Sequence, residues 1–246
     1  MLYNYLKIAL RNLRKRPGYT AINVLGLAAG LAGCILIGLW VEDELSYDDF
    51  HTNADRTYRV LNAFDMPELQ ATIPFTPPAL QPTLTADYPQ VEAAVRVGDR
   101  DGVVQHGPQR GVESSVLFAD DGFLDVFSFP LVRGTAALGR PSTVLLTPSL
   151  ATKYFPNADP VGQTIQFDGN ELEVTGIVAA PPTNTHLDYT MIASLATLDP
   201  GASNWGNNDW TTYVTLQPST SAAAFQASLD EIVKAKLVPL YQSEGL

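Results

Sequence analysis

Along residues 2–16, apolar positions Leu2, Leu6, Ala9, Leu10 and Leu13 recur at helical spacing, while Lys7, Arg11, Arg14 and Lys15 fall on another face. That two-faced pattern predicts an amphipathic helix with a basic side, suited to the headgroup layer of an anionic membrane leaflet. Pro17-Gly18 predicts its end. From Thr20 to Val41 the alternation disappears, and 22 consecutive positions carry no charge. A helix of that length covers about 33 Å, which matches a hydrocarbon core of about 30 Å. Within it Gly26, Ala29, Gly30 and Gly33 form a small-residue stripe that would let a second helix approach closely.

After the apolar run the period changes. "TYRVLNAF" (57–64) is β-rich, and "TPPALQPTLTADYP" (76–89) predicts a helix with Thr76 as N-cap and Pro77 at its first position. "VEAAVRVG" (91–98) and "RGVESSVLFAD" (110–120) predict strands, so the order strand–helix–strand points to a βαβ-type unit. "STVLLTPSLATKYF" (142–155) predicts a strand running into a helix capped by Thr147 and opened by Pro148. "QTIQFDGNELEVTGIV" (163–178) predicts a hairpin, with Asp168-Gly169-Asn170 supplying the positive-φ residues, and Pro181-Pro182 closes it. "TTYVTL" (211–216) predicts a last strand, followed by a helix from about Ser221 with Phe225, Leu229, Ile232, Val233 and Leu237 on one face. The expected class is α+β: a transmembrane helix, then a mixed outer domain made of a βαβ-type porter-like part and a β-rich lobe. A break is expected near residues 105–120. The expected segments are 1–18 (cytoplasmic, basic), 19–45 (transmembrane) and 46–246 (outer domain).

Charge adds a direction. The 246 residues carry a net charge of −11, from 15 Lys+Arg and 26 Asp+Glu. The first 19 residues hold five basic residues and no acid, which leaves −16 for the remainder. Basic flanks stay on the cytoplasmic side, so the N-terminus is expected inside and the acidic bulk outside. That bulk repels phosphate backbones and excludes a nucleic-acid partner. The single cysteine, Cys34, closes a "LAGC" box resembling a lipoprotein cleavage site. Seven further apolar residues follow it, "ILIGLWV", where a processed lipoprotein begins a polar tether. A retained span is therefore the leading reading, and a lipid-anchored module the alternative.

Candidate chemistry is sparse. The sequence has no phosphate-cradling G-x-x-x-x-G-K-[ST] loop, no G-x-S-x-G elbow and no H-E-x-x-H or C-x-x-C motif. His51, His106 and His186 lie far apart, without a second ligand at metal spacing. The acids from Glu42 to Asp55 lack the spacing and central glycine of a calcium loop and read as a solvated face. Asn207, Asn208 and Asp209 between Trp205 and Trp210 allow a sugar site or, equally, a polar loop anchored by two indoles. No catalytic, cofactor-binding or metal residue is assigned, and the chain is expected not to be an enzyme by itself.

One resemblance spans the chain. "YLKIALRNLRKRPGYTAINVLGLAAGLAGCILI", "SYDDFHTNADRTYRV", "DGFLDVFSFPLVRG", "PSTVLLTPSLATKYFPNADPVGQTI", "ELEVTGIVAAPPTNTHLDY" and "TTYVTL" together resemble the first transmembrane helix and periplasmic core domain of MacB/FtsX-like ABC-transporter permeases. The resemblance implies an inner-membrane subunit that pairs as a homo- or heterodimer, contacts membrane lipid and is driven by a separate cytoplasmic ABC-type ATPase. It also implies export of substrates such as antibiotics, peptides or lipoproteins, or action on a periplasmic partner protein, with no cofactor in this chain. Tyr47, Phe50, Tyr58 and Val60 would seat the emerging helix, and Gly162 and Gly176 would serve turns or close approaches. The sequence ends at Leu246 without further spans, so it is expected to be either the N-terminal part of a longer permease or a truncated product.

Overall fold

The computed structural model describes residues 2–66, 69–198, 201 and 203–244; side chains are described except at Leu2, Leu6, Ala9, Leu10, Asp65, Met66, Leu69, Ser243 and Glu244. The apolar positions Leu2, Leu6, Ala9 and Leu10 of the first predicted helix thus lie outside the described side chains. The chain forms two compact units, Met1–Tyr47 and Asp48–Leu246.

The first unit is two helices, α1 (Leu2–Lys15) and α2 (Pro17–Leu45). The break falls at Arg16, whose backbone leaves the helical region, and Pro17 opens α2 where its missing N–H costs nothing. Thr20 closes the joint: its N–H donates to Arg16 O and its hydroxyl to Leu13 O, each at 3.0 Å. α2 has 29 residues, none buried, and is long and apolar enough to cross a membrane. Its last turn is capped by Ser46, whose hydroxyl donates to Asp43 O at 2.8 Å.

The second unit begins with β1 (Thr57–Arg59) and a two-stranded ribbon, β2 (Asn62–Met66) and β3 (Leu69–Ile73). Next come α3 (Leu80–Asp87), the long strands β4 (Val91–His106) and β5 (Gln109–Ala119), the single turn α4 (Phe123–Val126), β6 (Leu131–Gly134), β7 (Thr143–Leu146) and α5 (Pro148–Tyr154). The chain continues through β8 (Thr164–Phe167), β9 (Asn170–Val178), β10 (Met191–Ser194), β11 (Thr211–Leu216), α6 (Ala222–Ile232) and α7 (Val238–Glu244). One sheet runs β1-β11-β4-β5-β10-β7-β9-β6, and β8 pairs with both β9 and β4. The ladder β4-β5-β10-β7-β9-β8 therefore returns to β4 as a closed circuit of six strands.

Period-two alternation explains the layers. Val116, Phe118, Val144, Leu146, Ile165, Phe167, Leu172, Val174, Met191 and Ala193 turn into the closed circuit and fill it. Their neighbours Leu117, Ala119, Leu145 and Ile192 face a second core under Phe123, Val126, Phe127, Phe129 and Leu138. With both faces covered, β7 and β10 are buried at every residue, including the polar Thr143 and Ser194 at their ends. At the open end, β1 and β4 both run antiparallel to β11, so β1–α3–β4 is a βαβ unit with β11 slotted between its strands. Leu80 and Leu84 of α3 and Phe225 and Ile232 of α6 cover that face together with Ala94 and Val214.

Four local expectations are corrected. The helix at 76–89 starts at Leu80, not Thr76, which instead bridges to Trp210 and donates its hydroxyl to Trp210 O at 2.9 Å. Pro82 consequently falls in the first turn, where its N–H is not needed, and the Pro78 carbonyl is free to accept from Arg96 at 2.9 Å. Arg96 also holds Asp120 through two bonds of 2.8 Å, tying the middle of β4 to the end of β5. No break occurs at 105–120, because β4 and β5 form one hairpin turned at Gly107-Pro108. Thr147 sits at the cap position of α5, but its hydroxyl goes to Thr190 O. Asn170 is already in β9; Asp168 and Gly169 alone carry the positive φ of the turn.

For the helix after β11 the predicted cap stands, and the predicted face is corrected at Val233. Ser221 caps α6 by accepting from the Ala224 N–H. Beyond Ile232 the helix widens into one π turn over Val233–Leu237, so the next buried residue is Leu237, a step of five, and Val233 turns outward at 43% exposure. Gly162 has φ +84, and a Cβ on Gly176 would lie 2.8 Å from Arg133 O.

Candidate functional site

The second unit opens on Asp48, which takes a left-handed backbone conformation at φ +61 and donates its N–H to Asn184 O at 2.9 Å. Its carboxylate is the hub of a polar cluster. Oδ1 accepts from the Thr185 hydroxyl at 2.6 Å and from the His186 N–H at 3.1 Å, and Oδ2 lies 2.6 Å from His186 Nδ1. A carboxylate only accepts, so His186 carries its proton on Nδ1, and Nε2 is left to accept from the Tyr213 hydroxyl at 2.7 Å. Tyr213 lies on β11; burial pushes its hydroxyl up to about 12, and it stays a donor. Arg59 of β1 lines the same cavity as Tyr213. Burial pulls the Asp48 carboxyl upward, but the hydrogen bonds from Thr185 and His186 outweigh it and hold the group low.

A second histidine faces the same carboxylate. His51 is 7% exposed, its ring packed edge-on against Phe127 and Phe129 and under Phe50. The Ser128 N–H donates to its Nδ1 at 3.1 Å, while the Thr52 N–H donates to the Ser128 hydroxyl at 3.0 Å. His51 Nε2 is buried without a hydrogen-bond partner, 4.0 Å from Asp48 Oδ1. Asp48, His51, Arg59, Phe127, His186 and Tyr213 line a cavity of about 350 Å³. Residues 48–52 are thus clasped to two distant segments, 127–129 and 184–186, and through Tyr213 to the sheet. Among the described residues no three potential ligands gather for a metal.

Sequence spacing concealed this cluster. Asp48 stood in an acidic run and His51 and His186 stood 135 positions apart, but "SYDDFH" and "TNTHLDY" are both segments that carried the family resemblance. The third histidine is elsewhere: His106 packs on Phe155 and reaches Thr164 O at 3.0 Å. At the Trp205–Trp210 loop, Trp210 is buried over Gly98, and Asn208 accepts from Asn62 at 2.9 Å, which is the anchored-loop arrangement. Val60 is buried in the helix-covered core, and Phe50 packs on His51 and Phe129. In the first unit, Gly26, Ala29, Gly30 and Gly33 share one stripe of α2, and a Cβ added at any of its glycines meets nothing within 4 Å. Lys7, Arg11, Arg14 and Lys15 are exposed on one side of α1, where they line a common groove with Asn4 and Ile8.

The profile of the MacB-like periplasmic core domain matches residues 20–232. The chain belongs to that family. The match to MacB-like domains begins inside α2 and runs through the sheet to the end of α6, so most of the apolar helix and the second unit are covered together. Among solved structures, the fold is similar to a domain of a candidate permease protein from Porphyromonas gingivalis, with a TM-score of 0.62 and 22% identity over 75% of this chain and 86% of that one. It is also similar to the periplasmic region of MacB from Actinobacillus actinomycetemcomitans, with a TM-score of 0.55 and 16% identity over 73% and 83% of the two chains. A third relative is the extracellular domain of the noncanonic ABC-type transporter YknZ from Gram-positive bacteria, with a TM-score of 0.50 and 18% identity over 70% and 87%. No curated protein matches the chain in sequence. At these identities the likeness establishes a shared fold, that of the MacB-like periplasmic domain of ABC-type permeases.

Proposed function

We propose that this chain is the N-terminal part of a non-enzymatic ABC permease subunit of the inner membrane. In this reading α2 crosses the membrane with α1 cytoplasmic, and the MacB-like domain stands in the periplasm. A separate cytoplasmic ATPase drives the subunit, which works as a homo- or heterodimer through the small-residue stripe of α2. The basic face of α1 rests on anionic lipid, and the outer domain passes motion to an exported substrate or a periplasmic partner. The observation that carries the reading is the single family match running from inside the span to residue 232. The clasp at Asp48 supports it: a displacement entering the outer domain at residue 48 meets hydrogen bonds to a loop and a sheet, not a slack linker.

The test is to capture the full chain from the membranes of cells that express it with its own gene neighbourhood, and to look for an ABC ATPase among the co-purifying proteins. Stoichiometric co-purification is expected, together with an intact N-terminus by mass spectrometry. In a Cys34→Ser background, Val112→Cys should react with an impermeant maleimide applied from outside. No ATPase on the purified chain, or a diacylated N-terminus at Cys34, would overturn the reading and favour an anchored binding module.

A further inference from the structure

Two of the chain's three histidines meet one carboxylate at the first residues of the outer domain. Their bonding fixes where further protons must go. Because the Ser128 N–H donates to His51 Nδ1, the neutral ring holds its proton on Nε2, and a second proton has only Nδ1 to occupy. There it would confront the Ser128 N–H, turning a donor–acceptor bond into two opposed donors. The ring cannot simply turn over, since Phe50, Phe127 and Phe129 crowd it. A protonated His51 is therefore incompatible with the closed arrangement of residues 48–52 on 127–129.

We propose that His51 makes this clasp a proton-operated release, in which acidification detaches residues 48–52 from the 127–129 segment and loosens the start of the outer domain. The surrounding charges set how the release works. Asp48 Oδ1, 4.0 Å from Nε2, favours the charged ring, whereas His186 and Arg59 oppose it across the same cavity. Tyr213 remains a neutral hydroxyl, the 127–129 segment contributes only rings and Ser128, and Asp99 and Asp188 line the adjoining cleft beside Arg59 and His186. Burial, the largest influence, holds the His51 imidazole below its ordinary value despite Asp48. The 184–186 contact runs from Asp48 to Thr185 and His186 and does not involve His51, so it holds while the 127–129 contact opens. The sign follows. A histidine depressed in the closed state stabilises closure above its open-state value of about 6.5, and closure is lost as pH falls through the closed-state value.

This inference rests on the proposed function only for its biological use; the release is a property of the outer domain and needs no ATPase. The experiment is hydrogen exchange by mass spectrometry on the full chain in nanodiscs between pH 7.5 and 5, with rates normalised to intrinsic exchange. Opening of peptides covering 46–54 and 126–130 should rise by about tenfold per pH unit below about 6.5, while β7 and β10 stay protected. His51→Asn keeps an oxygen at the Nδ1 position but does not titrate, and it should abolish the rise. A flat wild-type response, or an unchanged slope in His51→Asn, would overturn the proposal. Should that variant fail to fold at pH 7.5, ring-nitrogen NMR of the wild type decides. His51 Nδ1 protonation with a coincident shift of the Ser128 amide supports release, and protonation that leaves that amide unmoved refutes it. Failure here leaves the permease reading standing, and failed ATPase capture leaves the release standing.

Discussion

Gly134 is where a single atom decides local structure. It ends β6 at φ +83, and a Cβ there would run into the backbone of Thr175 and Gly176 on β9. Gly134→Ala combines a left-handed strain with a backbone collision, and is expected to cost about 2–4 kcal/mol in urea unfolding of the outer domain. A loss below 0.5 kcal/mol would mean that the β6 edge relaxes freely. Asp48 shows the complementary case, a non-glycine residue held at positive φ because its carboxylate and N–H together make four bonds to residues 184–186. Neither constraint is visible in composition. A lone Asp in an acidic run and a lone Gly in a turn are each ordinary, and their partners lie 41 to 138 positions away.

At the scale of elements, periodicity was informative wherever one face is buried. The Ser221 cap, the turn at Asp168-Gly169 and the two-faced α6 all follow from local chemistry that operates within a few residues. The stripe of α2 is equally legible, and it makes a prediction at this scale. Gly30→Leu leaves the helix intact, since a Cβ at Gly30 meets nothing. It should nonetheless weaken self-association of the chain in nanodiscs by about tenfold, read by energy transfer between labelled copies. Unchanged association would remove the stripe as the dimer contact. Thr76 marks the limit of local reading. Its cap signature was sound, but the Trp210 carbonyl and the Thr212 hydroxyl, 2.6 Å away, offered it buried partners that a helix start could not.

For the whole molecule, the decisive feature is the closed circuit β4-β5-β10-β7-β9-β8. It shares β4 with the helix-covered open end, so the porter-like part and the β-rich part hang on one strand. The outer domain should therefore unfold in one cooperative step, with Trp fluorescence and far-ultraviolet circular dichroism giving coincident midpoints. Two separated transitions would restore an energetic break near residues 105–120.

The sequence by itself determined the long apolar helix, its flanking charges, the α+β class and the family resemblance, because each rests on periodicity or composition over neighbouring residues. Tertiary structure alone decided the closure of the sheet, the continuity of β4 through Arg100–His106, and the meeting of Asp48, His51 and His186. Those depend on which strands pair and in what register. That pairing is set by burial on both faces at once, a quantity no local stretch of the chain contains.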